Sequence, residues 1–148
     1  MRTVAGYIRS RVAEFGREEY YHSHKVPRKV TDNLDRIHRK FLGEYDGYRF
    51  YLVDGLFIRN EINDDFYSGN FARDLYIPEP EIWIEDYSDP RDQVPTMVHE
   101  YLEADKMVSQ NWDYERAHEF AARQEMKIRK SHLPIKNIFE NFLSLVQN

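Results

Sequence analysis

The apolar residues of this chain change their spacing twice, and this segregation constrains the fold more than any other feature. Before residue 48 they recur every three or four positions, as in an amphipathic helix, and beyond residue 90 that spacing returns. Between residues 48 and 85 they form short extended runs rich in aromatic and aliphatic side chains. The order of helices, strands and again helices predicts an α+β domain with a small antiparallel or mixed sheet.

The predicted elements follow from these patterns and from turn signals. Helices are expected at about residues 2–21, 31–42, 92–110, 113–130 and 136–147, and strands within 48–59 and 74–85. Asp54-Gly55 predicts a hairpin turn, because this dipeptide tolerates the positive φ angles that such turns require. Residues 60–71 are polar and are expected to form a loop. Asp113 is expected to cap the helix that follows it.

The chain has 148 residues, which fits a single domain. Within it we distinguish a basic helical region (1–40), a core (48–130) and an apolar C-terminal helix (135–148). The absence of Cys excludes a disulfide framework, a thiolate nucleophile and a Cys-based zinc site. The sequence shows neither a membrane-spanning run nor a secretory signal, so we expect a cytoplasmic protein, or one in the host cytoplasm or the virion if a phage encodes it.

The net charge of −5 is unevenly distributed. Residues 1–40 carry a net charge of +5, residues 41–120 of −13 and residues 121–148 of +3. Basic arms often bind nucleic acids, but here the basic residues alternate with acidic ones and form no dense run. We therefore expect the basic termini to pack around the acidic middle, and we do not expect a nucleic-acid partner.

The stretch that carries chemistry is Val98-His99-Glu100-Tyr101-Leu102-Glu103, on the predicted helix 92–110. His99 and Glu103 are four positions apart, so their side chains project from one face and can bind one metal ion. Glu100 stands where a glutamate of metalloproteases accepts a proton from the metal-bound water. His118 follows on the next helix, and two His with one carboxylate form a catalytic zinc set with an open position.

This motif resembles that of the zincin metallopeptidases, His-Glu-x-x-His, with Glu103 in place of the second His. A wider similarity covers residues 48–130, in the order Val-Asp-Gly, Ile-Arg, Ile-Pro-x-x-Glu-Ile-Trp-Ile, His-Glu-x-x-Glu and Tyr-x-x-Ala-His-x-x-Ala. It is shared with small proteins of bacteria and their phages that are described as zincin-like. The resemblance implies a zincin-like core and a metal site, and it supplies no substrate.

A zincin-like mechanism would assign further roles to residues of this chain. Glu100 would pass its proton to the leaving amine of a peptide or protein substrate. An extended peptide would lie along an edge strand formed by Ile82, Trp83 and Ile84. Tyr114 and His132 are the candidates for a donor to the oxyanion. Zn²⁺ is the expected metal, and the extra carboxylate makes Mn²⁺ or Fe²⁺ alternatives.

Some assignments remain open at the level of sequence. Glu125 lies on the same helical face as His118 and is a candidate for a fourth ligand or for the partner that orients His118. The whole constellation has an alternative interpretation, in which His99 and His118 form a packing network with the glutamates and hold no metal. The chain would then be a non-catalytic structural or interaction protein of a phage or bacterium.

The C-terminal segment has a broad apolar face. Its residues are expected to complete the core by packing on the sheet or on the N-terminal helix. Alternatively, Phe139, Phe142 and Leu143 would contact a protein partner or a second copy of the chain.

Overall fold

A computed structural model describes residues 26–131 together with Asn141, Phe142 and Leu145. Among these residues it contains five helices and four strands. The helices are α1 (Arg28–Thr31), α2 (Leu34–Ile37), α3 (Gly55–Glu61), α4 (Pro90–Ser109) and α5 (Tyr114–Ser131). The strands are β1 (His38–Tyr45), β2 (Tyr48–Val53), β3 (Ser68–Asn70) and β4 (Glu81–Glu85). The prediction of an α+β fold with a mixed sheet is confirmed.

The four strands form one sheet in the order β1-β2-β4-β3. β2 pairs antiparallel with β1 and parallel with β4, and β3 pairs antiparallel with β4. The parallel pair requires a crossover connection, which is formed by α3 and β3. In the described sheet β1 and β3 therefore lie at the two edges, and β4 lies inside.

The predicted helix at 31–42 is wrong beyond its first residues. The chain forms the two single-turn helices α1 and α2 and then enters β1 at His38. β1 contains two register irregularities against β2, between His38 and Lys40 and between Phe41 and Gly43. Because bulges insert extra residues into a strand, they remove the alternation by which a strand is recognised. The apolar residues of this segment then recur at a spacing similar to that of a helix, which explains the wrong prediction.

The hairpin turn is also at a different Asp-Gly pair from the one predicted. Asp46 and Gly47 connect β1 to β2, with φ angles of 55° and 86°. Asp54 instead caps α3, and its carboxylate accepts a hydrogen bond from the backbone N–H of Phe57 at 3.0 Å. There is no room for a side chain at Gly55, since a Cβ there would lie 2.7 Å from Cγ of Glu85. The predicted strand after Asp54 is therefore the helix α3.

The assignment of Ile82, Trp83 and Ile84 to a peptide-binding edge strand is wrong. All three side chains are fully buried, and the strand that carries them is paired on both sides. Its backbone groups are already used in the ladder, so no peptide can be added there. The prediction failed because it did not include β3, which pairs with β4 and lies within the segment predicted as a loop.

The two long helices agree with their predicted ranges to within two residues at each end. Asp89 caps α4, and Asp113 caps α5 by accepting a hydrogen bond from the backbone N–H of Arg116 at 2.9 Å. α4 packs on the sheet with one side and along α5 with the other. Almost all of its residues from Pro95 to Asp105 are consequently buried.

Two of the three described residues of the C-terminal segment, Phe142 and Leu145, belong to the core. Asn141, Phe142 and Leu145 are helical, and Phe142 is fully buried. Its ring lies 4.4 Å from that of Tyr45 and 4.9 Å from that of Tyr101, measured between centroids. Phe142 is thus not available for the partner contact considered above.

Several predictions fall outside the described residues. These are the helix at 2–21, most of the helix at 136–147, and the contact residues Phe139 and Leu143. Among the helices that are described, none is both long and apolar enough to cross a membrane.

Replacing Phe142 by Ala tests whether the C-terminal segment stabilises the fold. We expect a loss of about 3–5 kcal/mol in the free energy of unfolding, because the ring leaves a cavity among other aromatic side chains. Urea unfolding measures this loss. The control is Met126→Ala on α5, since Met126 is 51% exposed and its loss should cost less than about 0.5 kcal/mol. Equal effects of the two substitutions would contradict the role of Phe142 in the core.

Candidate metal centre

His99, Glu103 and His118 meet where α4 packs against α5. One helical turn separates His99 from Glu103 on α4, and His118 is contributed by the first half of α5. Nε2 of His99 lies 3.2 Å from Oε2 of Glu103 and 3.3 Å from Nδ1 of His118. Nδ1 of His118 lies 2.9 Å from the same carboxylate oxygen. The structure therefore brings together the three residues that the sequence predicts as metal ligands.

The geometry of these three atoms fits a metal ion. Ligand atoms at about 2.1 Å from a tetrahedral ion lie about 3.4 Å from one another, close to the observed separations. His99 and Glu103 are buried, whereas the side chain of His118 is 48% exposed. The cluster is thus anchored on its α4 side and reachable from solvent beside His118. Two imidazoles and one carboxylate are a ligand set suited to Zn²⁺, Mn²⁺ or Fe²⁺.

Glu125 contacts His99 rather than His118. Its Oε1 lies 2.9 Å from Nδ1 of His99, the ring nitrogen that does not face the cluster. Its Oε2 accepts a hydrogen bond from Nε of Arg129, which in turn donates to Asp92 at 2.6 Å. A carboxylate this close to Nδ1 favours a proton on that nitrogen, although the contact does not have the geometry of a hydrogen bond. Glu125 therefore contacts the outer ring nitrogen of His99, and it does not belong to the group of three clustered donor atoms.

Glu100 lies beside the cluster and is held by two donors from β3. Its Oε2 accepts a hydrogen bond from the hydroxyl of Ser68 at 2.6 Å, and its Oε1 accepts one from the amide of Asn70 at 2.9 Å. Burial, together with the nearby charge of Glu103, raises the pKa of Glu100 to about 7. A carboxyl group with a pKa near neutrality is suited to accept and return a proton.

Asn70 is the site residue that the sequence analysis missed. Its Nδ2 donates to Glu100 and, at 3.1 Å, to Oε1 of Glu103, so one amide joins both carboxylates. Its Oδ1 accepts hydrogen bonds from the backbone N–H groups of Ala72 and Arg73. These two bonds fix the amide so that its NH₂ group faces the carboxylates. No spacing rule connects Asn70 with the motif on α4, which begins 29 positions later.

The cluster opens into a cavity of about 280 Å³. His99, Glu100, Glu103 and His118 form one part of its wall. Ser68, Arg73, Asp74, Tyr76, Tyr114, Asn63, Asp65 and Phe66 form the rest. The cavity thus places Glu100 and the three donor atoms around a common space where a small ligand can bind.

The two predicted oxyanion donors have different outcomes. Tyr114 lines the cavity, and its hydroxyl oxygen lies 3.4 Å from Nδ1 of His118. Its ring packs under the guanidinium of Arg73, whose Cζ lies 4.2 Å from the ring centroid. His132 lies outside the described residues. Of the two candidates, Tyr114 is thus the one whose described position is at the cavity.

Comparison with known proteins gives no relationship for this chain: no family model, no curated protein and no solved structure matches it.

Asp74 in the cavity wall should make the free energy of unfolding depend on pH. Burial raises the pKa of Asp74 to about 6, despite the opposing charge of Arg73. The folded protein therefore keeps this proton to a higher pH than the unfolded chain, whose Asp titrates near 3.9. As the pH rises from 4 to 7, the folded state loses stability at this group on the order of 2–3 kcal/mol.

Asp74→Asn should remove this loss. We expect the free energy of unfolding of the variant to improve relative to that of the wild type as the pH rises from 4 to 7. Urea unfolding at several pH values in the presence of a chelator measures the difference. The control Asp64→Asn changes an exposed carboxylate nearby and should follow the wild-type profile. A constant difference between Asp74→Asn and the wild type would show that Asp74 does not titrate as described.

Proposed function

We propose that this protein binds one divalent metal ion through His99, Glu103 and His118 and hydrolyses peptide bonds. The observation that carries the proposal is the convergence of three ligand atoms at the wall of a cavity that also contains Glu100. Zn²⁺ is the first candidate, with Mn²⁺ and Fe²⁺ as alternatives because a carboxylate replaces an imidazole of the zincin set. A bound cation would supply Lewis acidity, which polarises a carbonyl group and acidifies a water molecule.

Glu100 is the residue that moves the proton in this proposal. Its carboxylate accepts a proton from a water molecule in the cavity and then gives it to the leaving amine. The hydrogen bonds from Ser68 and Asn70 restrict its rotation, so that it does not turn away from the cavity. Ser68 and Asn70 thereby act as positioning residues.

Tyr114 is the donor available for the developing oxyanion. Tyr114 lines the cavity from α5, and its hydroxyl oxygen lies 3.4 Å from Nδ1 of His118. A hydroxyl at this place can donate a hydrogen bond to negative charge that forms close to His118. Tyr114 and Glu100 thus reach the same cavity from different helices.

The alternative is a packing network without metal in a non-catalytic interaction protein. The observation that favours it is that the cluster is self-consistent when protonated. Burial alone would lower the pKa of His99, but the contacts with Glu103 and Glu125 outweigh burial and raise this pKa to about 10. The two ring nitrogens of His99 lie 3.2 and 2.9 Å from carboxylate oxygens, which stabilise an imidazolium electrostatically. Metal content therefore distinguishes the two functions.

Elemental analysis of the protein, purified without a histidine tag, tests the metal site. We expect about one equivalent of Zn, Mn or Fe per chain, and its loss in a variant that combines His99→Ala with His118→Ala. The control is His38→Gln, which breaks a His–Glu contact of 2.7 Å with Glu81 on another part of the sheet. Absence of metal after reconstitution, or its retention in the double variant, would refute the site.

Glu100→Gln tests catalysis separately from metal binding. Gln keeps the size of the side chain and still accepts one hydrogen bond, so metal should be retained while peptide hydrolysis falls by roughly 10²–10⁴-fold. Mass spectrometry of a mixed peptide library measures cleavage. Glu115→Gln, on the exposed surface of α5, is the matched control and should cleave like the wild type. Unchanged cleavage by Glu100→Gln would exclude this residue as the base.

A further inference from the structure

Among its described residues the cavity wall contains one arginine, Arg73, and no lysine. Its guanidinium is exposed and makes no ion pair with any carboxylate in the described part of the chain. Arg59, Arg39 and Arg129 each pair with a carboxylate at 3.0 Å or less. Arg73 instead lies over the ring of Tyr114. It is thus a cation in the wall of the cavity that interacts with Tyr114 and is paired with no carboxylate among the described residues.

The backbone of Arg73 is hydrogen-bonded to Asn70, which also contacts both buried carboxylates. Its backbone N–H donates both to the side chain and to the carbonyl oxygen of Asn70. The same Asn70 amide bonds to Glu100 and Glu103, so the turn that carries Arg73 is tied to the metal-binding helix. Stacking on Tyr114 then restrains the guanidinium from the α5 side. The backbone of Arg73 is therefore tied to the residue that contacts the cluster, and its guanidinium lies over Tyr114.

We propose that Arg73 binds the C-terminal carboxylate of a peptide substrate, so that cleavage releases the last residue of the peptide. A guanidinium binds a carboxylate with two parallel hydrogen bonds, which makes Arg better suited to this task than Lys. The proposal rests on the proposed hydrolase function and adds the substrate class to it.

The distances agree with this substrate. Cζ of Arg73 lies 4.2 Å from the Tyr114 ring centroid, which lies 5.3 Å from that of His118. The guanidinium is therefore less than about 10 Å from the His118 ring, a gap that one or two residues span at about 3.5 Å each. The cavity of 280 Å³ is also small for a ligand site. It suits the end of a peptide rather than the middle of a long one.

Binding of three small probes tests the proposal without relying on turnover. N-acetylalanine offers a terminal carboxylate, N-acetylalanine amide offers none, and N-acetylaspartic acid α-amide offers only a side-chain carboxylate. Calorimetric titration is performed with zinc-supplemented protein and with protein in a chelator. We compare the wild type with Arg73→Gln and with Arg116→Gln, whose guanidinium is exposed and stacks on Trp112 at 3.8 Å outside the cavity.

We expect the wild type to bind N-acetylalanine at least about tenfold more tightly than either amide, as the loss of a charge-assisted pair implies. This preference should disappear in Arg73→Gln and persist in Arg116→Gln. Equal binding of acid and amide by the wild type, or a preference that survives in Arg73→Gln, would overturn the proposal. Equal binding of the aspartate probe would overturn its restriction to terminal carboxylates.

The result remains distinct from that of the metal experiment. A protein that holds no metal but shows the Arg73-dependent preference would refute the hydrolase while keeping a carboxylate site at Arg73. A protein that holds metal but loses nothing in Arg73→Gln would keep the hydrolase and refute the carboxylate site.

Discussion

Glu100 and Glu103 are buried on the same helix, and the arrangement around α4 compensates for this burial. A buried carboxylate is unfavourable unless hydrogen bonds or opposite charges replace its lost hydration. Glu103 meets two imidazoles at 2.9 and 3.2 Å, and Glu100 meets a hydroxyl and an amide. The amide of Asn70 reaches both carboxylates. Removal of these partners would leave negative charge unpaired in the interior of the protein.

This requirement explains why the short strand β3 matters more than its three residues suggest. β3 brings Ser68 and Asn70 against α4 while it closes one edge of the described sheet. Gly69 between them is buried, and a Cβ there would lie 2.8 Å from Cδ1 of Ile77 and closer still to the carboxylate of Asp74. The turn after β3 then directs Arg73 toward Tyr114. The polar environment of the cluster and the far wall of the cavity thus depend on one segment of about seven residues.

The sequence predicts local structure well where one periodic pattern dominates. The ranges of α4 and α5 are correct to within two residues, and Asp113 caps α5 as expected. Prediction fails where the same short sequence occurs in two different local structures. Asp46-Gly47 and Asp54-Gly55 are the same dipeptide, yet the first forms a hairpin turn and the second begins a helix. The pairing of β2 with β4 distinguishes them, because it brings Glu85 so close to Gly55 that a Cβ there would lie 2.7 Å from Cγ of Glu85.

The α+β class and the grouping of His99, Glu103 and His118 could both be predicted from the sequence. These predictions depend on spacing within helices and on the short connection between α4 and α5, which local geometry sets. Only the folded structure shows that β4 is an interior strand, that Glu125 contacts His99, and that Asn70 joins the two buried carboxylates. Burial and strand pairing bring together residues that are far apart in the chain. The local spacing of residue types does not indicate which of these residues will be in contact.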